Sequence, residues 1–383
     1  MEIHEVKVVA SPKVPDNLPV SLEEIKTRSS LLKAEANLLR LPVFALSTRG
    51  LRTLNGLEVK GVFRRDGEQH EYAFRTARSV DTPYPGPLAR AAHLALLALG
   101  TERLPVPHPL AWTWRDLCRR IGCSPSGTMI GKLKEALTAT ASLTIRSRSA
   151  IYSRPLKRYL TEHEGVFHLY DRLVFHGGML PDGTKADLNH LWLAEWYRGN
   201  LDSLYAAPLD HELWRWLDAR SPIASRAYEF LLVSFYASPV VRINYPTLAG
   251  LLPVHAERYY SQAQRQLDPA LALLVEVALV ETVTWTKAKH GEPQLLLERG
   301  KRLGRPTPIR APTPVAQAPG SEPGPKDGFT AHWLPVWEKL PEAEKVDIRT
   351  RTRARYPFLR LVGQETVDAL CLEELAKDKS GGG

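Results

Sequence analysis

Pro87-Leu88-Ala89-Arg90-Ala91-Ala92-His93-Leu94-Ala95-Leu96-Leu97 returns further along the chain as Pro222-Ile223-Ala224-Ser225-Arg226-Ala227-Tyr228-Glu229-Phe230-Leu231-Leu232. The Pro, two Ala and the Leu-Leu pair are identical. The same succession follows each copy: a short aromatic or β-branched stretch, a short helix pattern, a second helix pattern and a hairpin pattern. Helix, strand, helix, helix and a two-stranded wing is the order of a winged helix, a helix-turn-helix variant that lays its second helix in a DNA groove. An internal repeat of this kind decides the architecture before any single residue does. The expected fold is α+β: tandem winged-helix domains (helix-turn-helix plus β-wing) with a small helical C-terminal region. The expected divisions are an N-terminal arm over 1–40, domain one over 41–207, domain two over 208–302, a Pro-rich linker over 303–328 and helices over 329–379.

Outward from the first copy, Leu57 to Ala77 alternates about Arg65-Asp66-Gly67, a hairpin signal. Ser21 onward, through Leu31, Leu32, Ala34 and Leu38, reads as a capped amphipathic helix. Trp112-Thr113-Trp114 enters a helix capped by Thr113 or Asp116 and ended by Gly122, and Ser124-Pro125-Ser126 opens the next, to about Thr140. Leu143 to Tyr152 and Gly165 to Phe175 are the expected strands of the first wing, and Leu191 to Leu204 holds a strand and a connecting helix. In the second copy Ser221-Pro222 caps the first helix, and Val240 to Asn244 is a strand. Tyr245 to Leu252 is the short helix, and His255 to about Leu267 the second, interrupted by Asp268-Pro269. The second wing runs over Leu279 to Thr286 and Gln294 to Leu297. Seven prolines between Arg305 and Lys326 predict a semi-extended linker.

The chain has 383 residues, an apolar fraction of 44% and a formal charge of +9. That charge suits a polyanion, because Lys and Arg that neutralise phosphates release condensed counterions. A bilayer-spanning run and a secretory leader are both missing from the pattern. Cys118, Cys123 and Cys371 form no paired motif, which points to a reducing, cytoplasmic location, with Cys118 buried.

On the second helix of copy one, Met129, Ile130, Leu133, Ala136, Leu137 and Thr140 share one face. Thr128, Gly131, Lys132, Glu135 and Thr138 share the other. On the equivalent helix of copy two the outward row is Glu257, Arg258, Ser261, Gln262 and Arg265, while Tyr260, Ala263 and Leu267 face the core. Arg and Gln make paired hydrogen bonds to guanine and adenine edges in the major groove. The first wing carries Arg146, Arg148, Arg154, Lys157 and Arg158 without an intervening acid, and the second offers Lys287, Lys289 and His290. Both suit phosphate or minor-groove contact. The bland alternative for each residue is a solvated face. The run Arg349, Arg351, Arg353 and Arg355 follows Glu342, Glu344 and Asp347 and reads first as a solvated helix.

No catalytic constellation stands out, and neither a cofactor nor a metal is expected. Gly127 to Leu133 is one residue too short between its glycines for a phosphate loop and lacks the magnesium-holding hydroxyl. Tyr259 and Tyr260 suggest an origin-nicking nucleophile, but that chemistry needs a metal held by paired histidines, and His163 and His168 have no such setting.

Several strings resemble the replication initiator protein A family of bacterial plasmids over roughly residues 40–300. They are Leu41-Pro-Val-Phe-Ala-Leu-Ser-Thr-Arg-Gly-Leu, Asp81-Thr-Pro-Tyr-Pro-Gly-Pro-Leu-Ala, Thr113-Trp-Arg-Asp-Leu, Leu191-Trp-Leu-Ala-Glu-Trp-Tyr, Ser221-Pro-Ile-Ala-Ser-Arg-Ala-Tyr-Glu-Phe-Leu and Leu252-Pro-Val-His-Ala-Glu-Arg-Tyr. The resemblance implies two winged-helix domains that bind iterons, short direct repeats in double-stranded origin DNA. It further implies opening of an adjacent AT-rich segment, recruitment of host initiator and helicase, and control of plasmid copy number. Homodimers off DNA and monomers on iterons go with it. It places the main base contacts on Arg258, Gln262 and Arg265. A transcriptional repressor of the same fold with no replication role is the alternative, and a nicking enzyme using Tyr259 or Tyr260 the second.

Overall fold

The computed structural model describes residues 4–5, 31–65, 68–102, 104–160, 166–288, 291–303, 336–337 and 340–355. Residues 1–306 form one compact unit and residues 307–383 another. The architecture is mixed α+β with several small sheets.

In chain order the first unit contains β1 (His4–Glu5), β2 (Leu31–Glu35), α1 (Ala36–Arg40), β3 (Glu58–Arg65), β4 (Glu68–Ala77) and α2 (Pro87–Gly100). There follow β5 (Leu110–Trp112), α3 (Trp114–Ile121), α4 (Gly127–Ala141), β6 (Thr144–Arg148), β7 (Tyr152–Ser153), β8 (Arg158–Tyr159), β9 (Tyr170–Val174) and β10 (Asn189–Leu193). Then come α5 (Glu195–Asp202), β11 (Ala206–Asp210), α6 (His211–Arg220), α7 (Pro222–Ala237), β12 (Val240–Asn244), α8 (Tyr245–Leu251), α9 (Tyr260–Glu276), β13 (Val280–Lys287) and β14 (Pro293–Arg299).

The two repeated helices are α2 and α7, each opened by a proline where its missing N–H costs nothing. After each, a short strand leads to two helices and a later antiparallel pair. In both segments the short strand hydrogen-bonds to the last strand of that pair: β5 to β10, which also pairs β9, and β12 to β14, which also pairs β13. Local chemistry sets the helix starts. Thr113 Oγ1 accepts from the Asp116 N–H at 3.1 Å, Ser126 Oγ from Met129 at 3.2 Å and Ser221 Oγ from Ala224 at 3.2 Å. Gly122, at φ 86°, ends α3 in the left-handed conformation that favours glycine.

Several expectations need correction. Leu31–Glu35 is a strand, paired with β11, rather than part of a helix begun at Ser21. Pairing buries Leu32 and Ala34 on one face, and Glu35 then caps α1 by accepting from the Leu38 N–H. The upstream part of that expected helix, the Asp66-Gly67 turn and the Pro-rich linker lie outside the described residues. The segments expected to form the first wing meet at an isolated antiparallel bridge, Ile145 to Phe167, rather than along a ladder. β6 joins the β3–β4 hairpin, Thr76 opposite Ile145, while β9 pairs β10. The bridge is accompanied by a contact at 3.0 Å between His168 Nδ1 and the Leu143 carbonyl. Finally, α9 begins at Tyr260, not His255, and runs through Pro269. Its lost N–H leaves the Arg265 carbonyl without a helical partner. Burial of Leu267, Ala270, Leu271 and Leu274 on both sides of the proline carries the helix through.

A buried charge network binds the repeated helices together. Arg90 of α2 donates from Nε (3.0 Å) and Nη2 (2.7 Å) to Glu229 Oε1 of α7, and from Nη1 to Asp218 of α6 at 3.2 Å. Arg226 Nη1 donates to Glu229 Oε2 at 2.7 Å and to the Leu39 carbonyl of α1 at 3.0 Å, and Trp214 Nε1 donates to Glu229 Oε1 at 2.7 Å. Arg90 also meets Ser225, the residue at its own position in the other copy, at 3.1 Å. Burial alone would raise the Glu229 carboxyl, but the guanidiniums of Arg90 and Arg226 outweigh it and hold the group below the ordinary carboxylate range.

In the second unit the described helix is α10 (Glu342–Arg355). Arg349 bonds Glu342 at 3.2 Å and lies over the Trp337 ring at 5.5 Å, and Arg351 makes an i,i+4 pair with Asp347 at 3.1 Å. No helix among the described residues is long and apolar enough to cross a membrane.

Candidate nucleic-acid interface

In copy one α4 presents the expected faces. Leu133 and Leu137 are fully buried, as is Thr140, whereas Thr128, Gly131, Lys132, Glu135 and Thr138 are exposed. Glu135 is bridged at 3.5 Å by Arg52, a partner the periodicity of α4 did not indicate. Lys134, exposed on the same helix, holds its ammonium over the Trp114 and Phe175 rings at 5.9 and 5.6 Å. No atom lies within 4 Å of where a Cβ would sit on Gly127 or Gly131, so neither glycine is required by packing within the chain. Gly131→Ala is therefore expected to stabilise the protein by about 0.5–1 kcal/mol, the interior-helix difference between the two residues. Urea unfolding checks this; a destabilised variant would mean that the site packs against something.

In copy two Ser261, Gln262 and Arg265 project from α9 into solvent, with Ala263 and Leu267 buried behind them. Glu257 and Arg258 belong to the turn that precedes the helix, because α9 starts only at Tyr260. The Arg258 guanidinium sits 5.8 Å from the centre of the Tyr259 ring, which is 61% exposed. The turn is held in place by Tyr245: its hydroxyl accepts from the Glu257 N–H at 2.8 Å and donates to Gln266 Oε1 at 2.9 Å, and Gln266 Nε2 donates to the His255 carbonyl at 3.1 Å. The strand pair anchors the helix from the other side. Trp285 of β13 donates its indole N–H to Asp268 at 2.9 Å and meets the Tyr260 ring edge-on at 5.5 Å. Tyr245, Gln266 and Trp285 thus position the exposed row. The sequence marked none of them, since each acts through a partner ten or more residues away.

Tyr260 is a packing residue on this geometry. Burial, and then the Asp268 carboxylate, push its phenol upward.

The basic residues expected on the first wing separate onto two elements. Arg146 and Arg148 are exposed on β6, in the three-stranded sheet β3-β4-β6. Arg154 and Lys157 are exposed at the tip of the small β7–β8 hairpin, where the Arg154 N–H donates to Asn200 Oδ1 at 2.8 Å. Lys287 is exposed at the end of β13, while Lys289 and His290 lie outside the described residues. No hydrogen bond or ion pair among the described residues links the candidates on α4, α9, β6 and the β7–β8 tip to one another.

No protein-family model matches this chain, and no curated protein matches it. Among solved structures it is similar to a selenomethionine crystal structure of domains 2 and 3 of RctB, at 12% identity and a TM-score of 0.43, over 69% of this chain and 98% of that one. It is also similar to a second crystal structure of RctB domains 2–3, at 10% identity and a TM-score of 0.39, over 68% of this chain and 96% of that one. At these scores neither likeness assigns a function.

Proposed function

We propose that this chain is a plasmid replication initiator: it binds direct repeats of duplex origin DNA through two winged-helix modules, promotes opening of the origin and recruits host replication proteins. The carrying observation is the row Ser261, Gln262 and Arg265, exposed on the second helix of a helix pair whose turn is clamped by Tyr245 and whose back is locked to a strand pair by Trp285. A rigid helix with Gln and Arg outward is what direct readout of base edges in a major groove requires. In the other segment a short strand, two helices and a strand pair also recur, with β6, β7 and β8 intervening before the pair, and Thr128 and Lys132 outward on its second helix support a second contact on the neighbouring stretch. The positive charge supplies the sequence-independent share of the affinity.

A footprint on the DNA flanking the gene, at defined salt with random-duplex competitor, tests this. Evenly spaced protected direct repeats beside an AT-rich stretch are expected. Protection of an inverted repeat at the promoter alone would favour a repressor, and no protection would overturn the reading. Incubation of supercoiled origin DNA with protein and magnesium is expected to leave it unnicked. Arg265→Ala is expected to weaken specific binding by about 1–3 kcal/mol and to relax preference at one base pair. Equal loss on specific and random duplex would reassign Arg265 to phosphate.

A further inference from the structure

The sheet β3-β4-β6 has one buried and one solvent face. Val59, Phe74, Thr76, Ile145 and Ser147 point inward, each 6% exposed or less. At the alternate positions Lys60, Arg75, Arg146 and Arg148 are exposed. The register sets Arg75 directly opposite Arg146 and places Lys60 and Arg148 on either side of Ala73 in the next row. Two acids share this face, and both are engaged: Glu58 with Lys60 at 3.0 Å and Glu71 with Arg148 at 3.6 Å. Neither Arg75 nor Arg146 makes an ion pair within 4 Å among the described residues, and Glu58 stands directly opposite Arg75 across the β3–β4 pair. Like charges directly across a strand pair destabilise a sheet; in this row Glu58 offsets Arg75 from the β3 side, and the Arg75–Arg146 repulsion remains on the β6 side.

The location narrows what offsets it. Val59, on the inner face, lies against α8, 3.9 Å from where a Cβ would sit on Gly250. The sheet is thereby packed against the first helix of the pair whose second helix is α9. The other face of the sheet, turned to solvent and basic, is complementary to the phosphate rail of a duplex.

We propose that the solvent face of this sheet, through Arg75 and Arg146 with Lys60 and Arg148 beside them, contacts the sugar–phosphate backbone of the same duplex. The inference rests on the DNA-binding reading and adds a surface that neither helix pair contains. The contact is electrostatic and insensitive to base sequence.

The test compares the full-length wild type with R75Q/R146Q on the footprinted duplex and on a random duplex of equal length, with Kd measured across a salt series. The slope of log K against log salt is expected to fall by about 2, one per lost phosphate contact. The variant's deficit is then roughly tenfold larger at 50 mM than at 200 mM salt. Affinity for both duplexes should fall alike, and the thermal midpoint should stay level, because the variant removes the Arg75–Arg146 repulsion together with the Glu58–Arg75 attraction. R75K/R146K, which keeps the point charges, should retain the wild-type slope. An unchanged slope in the glutamine variant, with wild-type binding intact, would overturn the sheet contact and leave the initiator reading standing. Loss confined to the specific duplex would overturn it too, by making the arginines base readers. A wild type that binds neither duplex would instead overturn the function on which the inference rests.

Discussion

Glu229→Ala is expected to cost about 3–5 kcal/mol of unfolding free energy, the usual result of removing one partner from a buried ion pair. The carboxylate is 6% exposed and takes hydrogen bonds from Arg90, Arg226 and Trp214. Its removal strands two guanidiniums, each 3% exposed, in an interior with no second carboxylate able to serve both. Asp218 reaches only Arg90. Because Arg90 stands on the first repeated helix and Arg226 on the second, the loss should loosen the two copies together and unfolding should remain a single transition. Urea denaturation measures it. Arg52→Ala provides the contrast: its bridge to Glu135 joins side chains 82% and 54% exposed, and its loss is expected to cost no more than about 1 kcal/mol. A Glu229→Ala cost near the Arg52→Ala value would mean that water reaches the guanidiniums.

The second large effect is on the pH dependence of stability. Glu35 is 1% exposed; burial pushes its carboxyl from 4.5 up to about 7, although N–H donors from Leu38, Asn200 and Asn37 pull the other way. A raised acid favours the folded state fully below pH 4.5, and that contribution is lost as pH climbs through about 7. At about 1.4 kcal/mol per unit the change is about 3 kcal/mol. His93 behaves oppositely. Held between the Tyr170 and Tyr197 hydroxyls, each at 2.9 Å, it is driven by burial from 6.5 down to about 4, partly offset by the Glu229 charge. Its contribution is present above pH 6.5 and is lost as pH falls through about 4. Relative to Glu35→Gln, the wild type should therefore lose about 3 kcal/mol between pH 4.5 and 7. Relative to His93→Gln, it should gain about as much between pH 4 and 6.5. Taking the difference from wild type isolates each group from the rest of the titrating chain. Denaturant titrations at several pH values give these differences directly; flat differences would mean that the two groups remain solvated.

Much of the secondary structure was legible because its causes are local. A proline at a helix start, a hydroxyl three residues before a free N–H and a glycine in the left-handed region act over a few residues, and they put α2, α3, α4, α7 and α8 near their expected ends. The outward residues Ser261, Gln262 and Arg265 and the buried Ala263 and Leu267 follow from helical periodicity alone. The candidate interface was legible to the same extent, as a set of faces. Its supports were not, because Tyr245 and Trp285 act through Gln266 and Asp268 on another element.

The sequence by itself determined the repeated proline-led helix, the starts of the capped helices and the outward row Ser261, Gln262 and Arg265, since these depend on spacing within a few turns. Tertiary structure alone decided the rest. An alternating strand shows which residues share a face and not which strand lies beside it, so the basic run at Arg146 and Arg148 was matched to the wrong neighbour until β6 met β4. Proline at position 269 predicts a break, and burial on both sides of it supplied the energy to continue. Arg90, Arg226 and Glu229 lie on the repeated helices, and no local spacing marks them as interior. They are interior because segments more than a hundred residues apart close over them, and in that low-dielectric setting each charge stays ionised because its opposite partners offset the cost of leaving water.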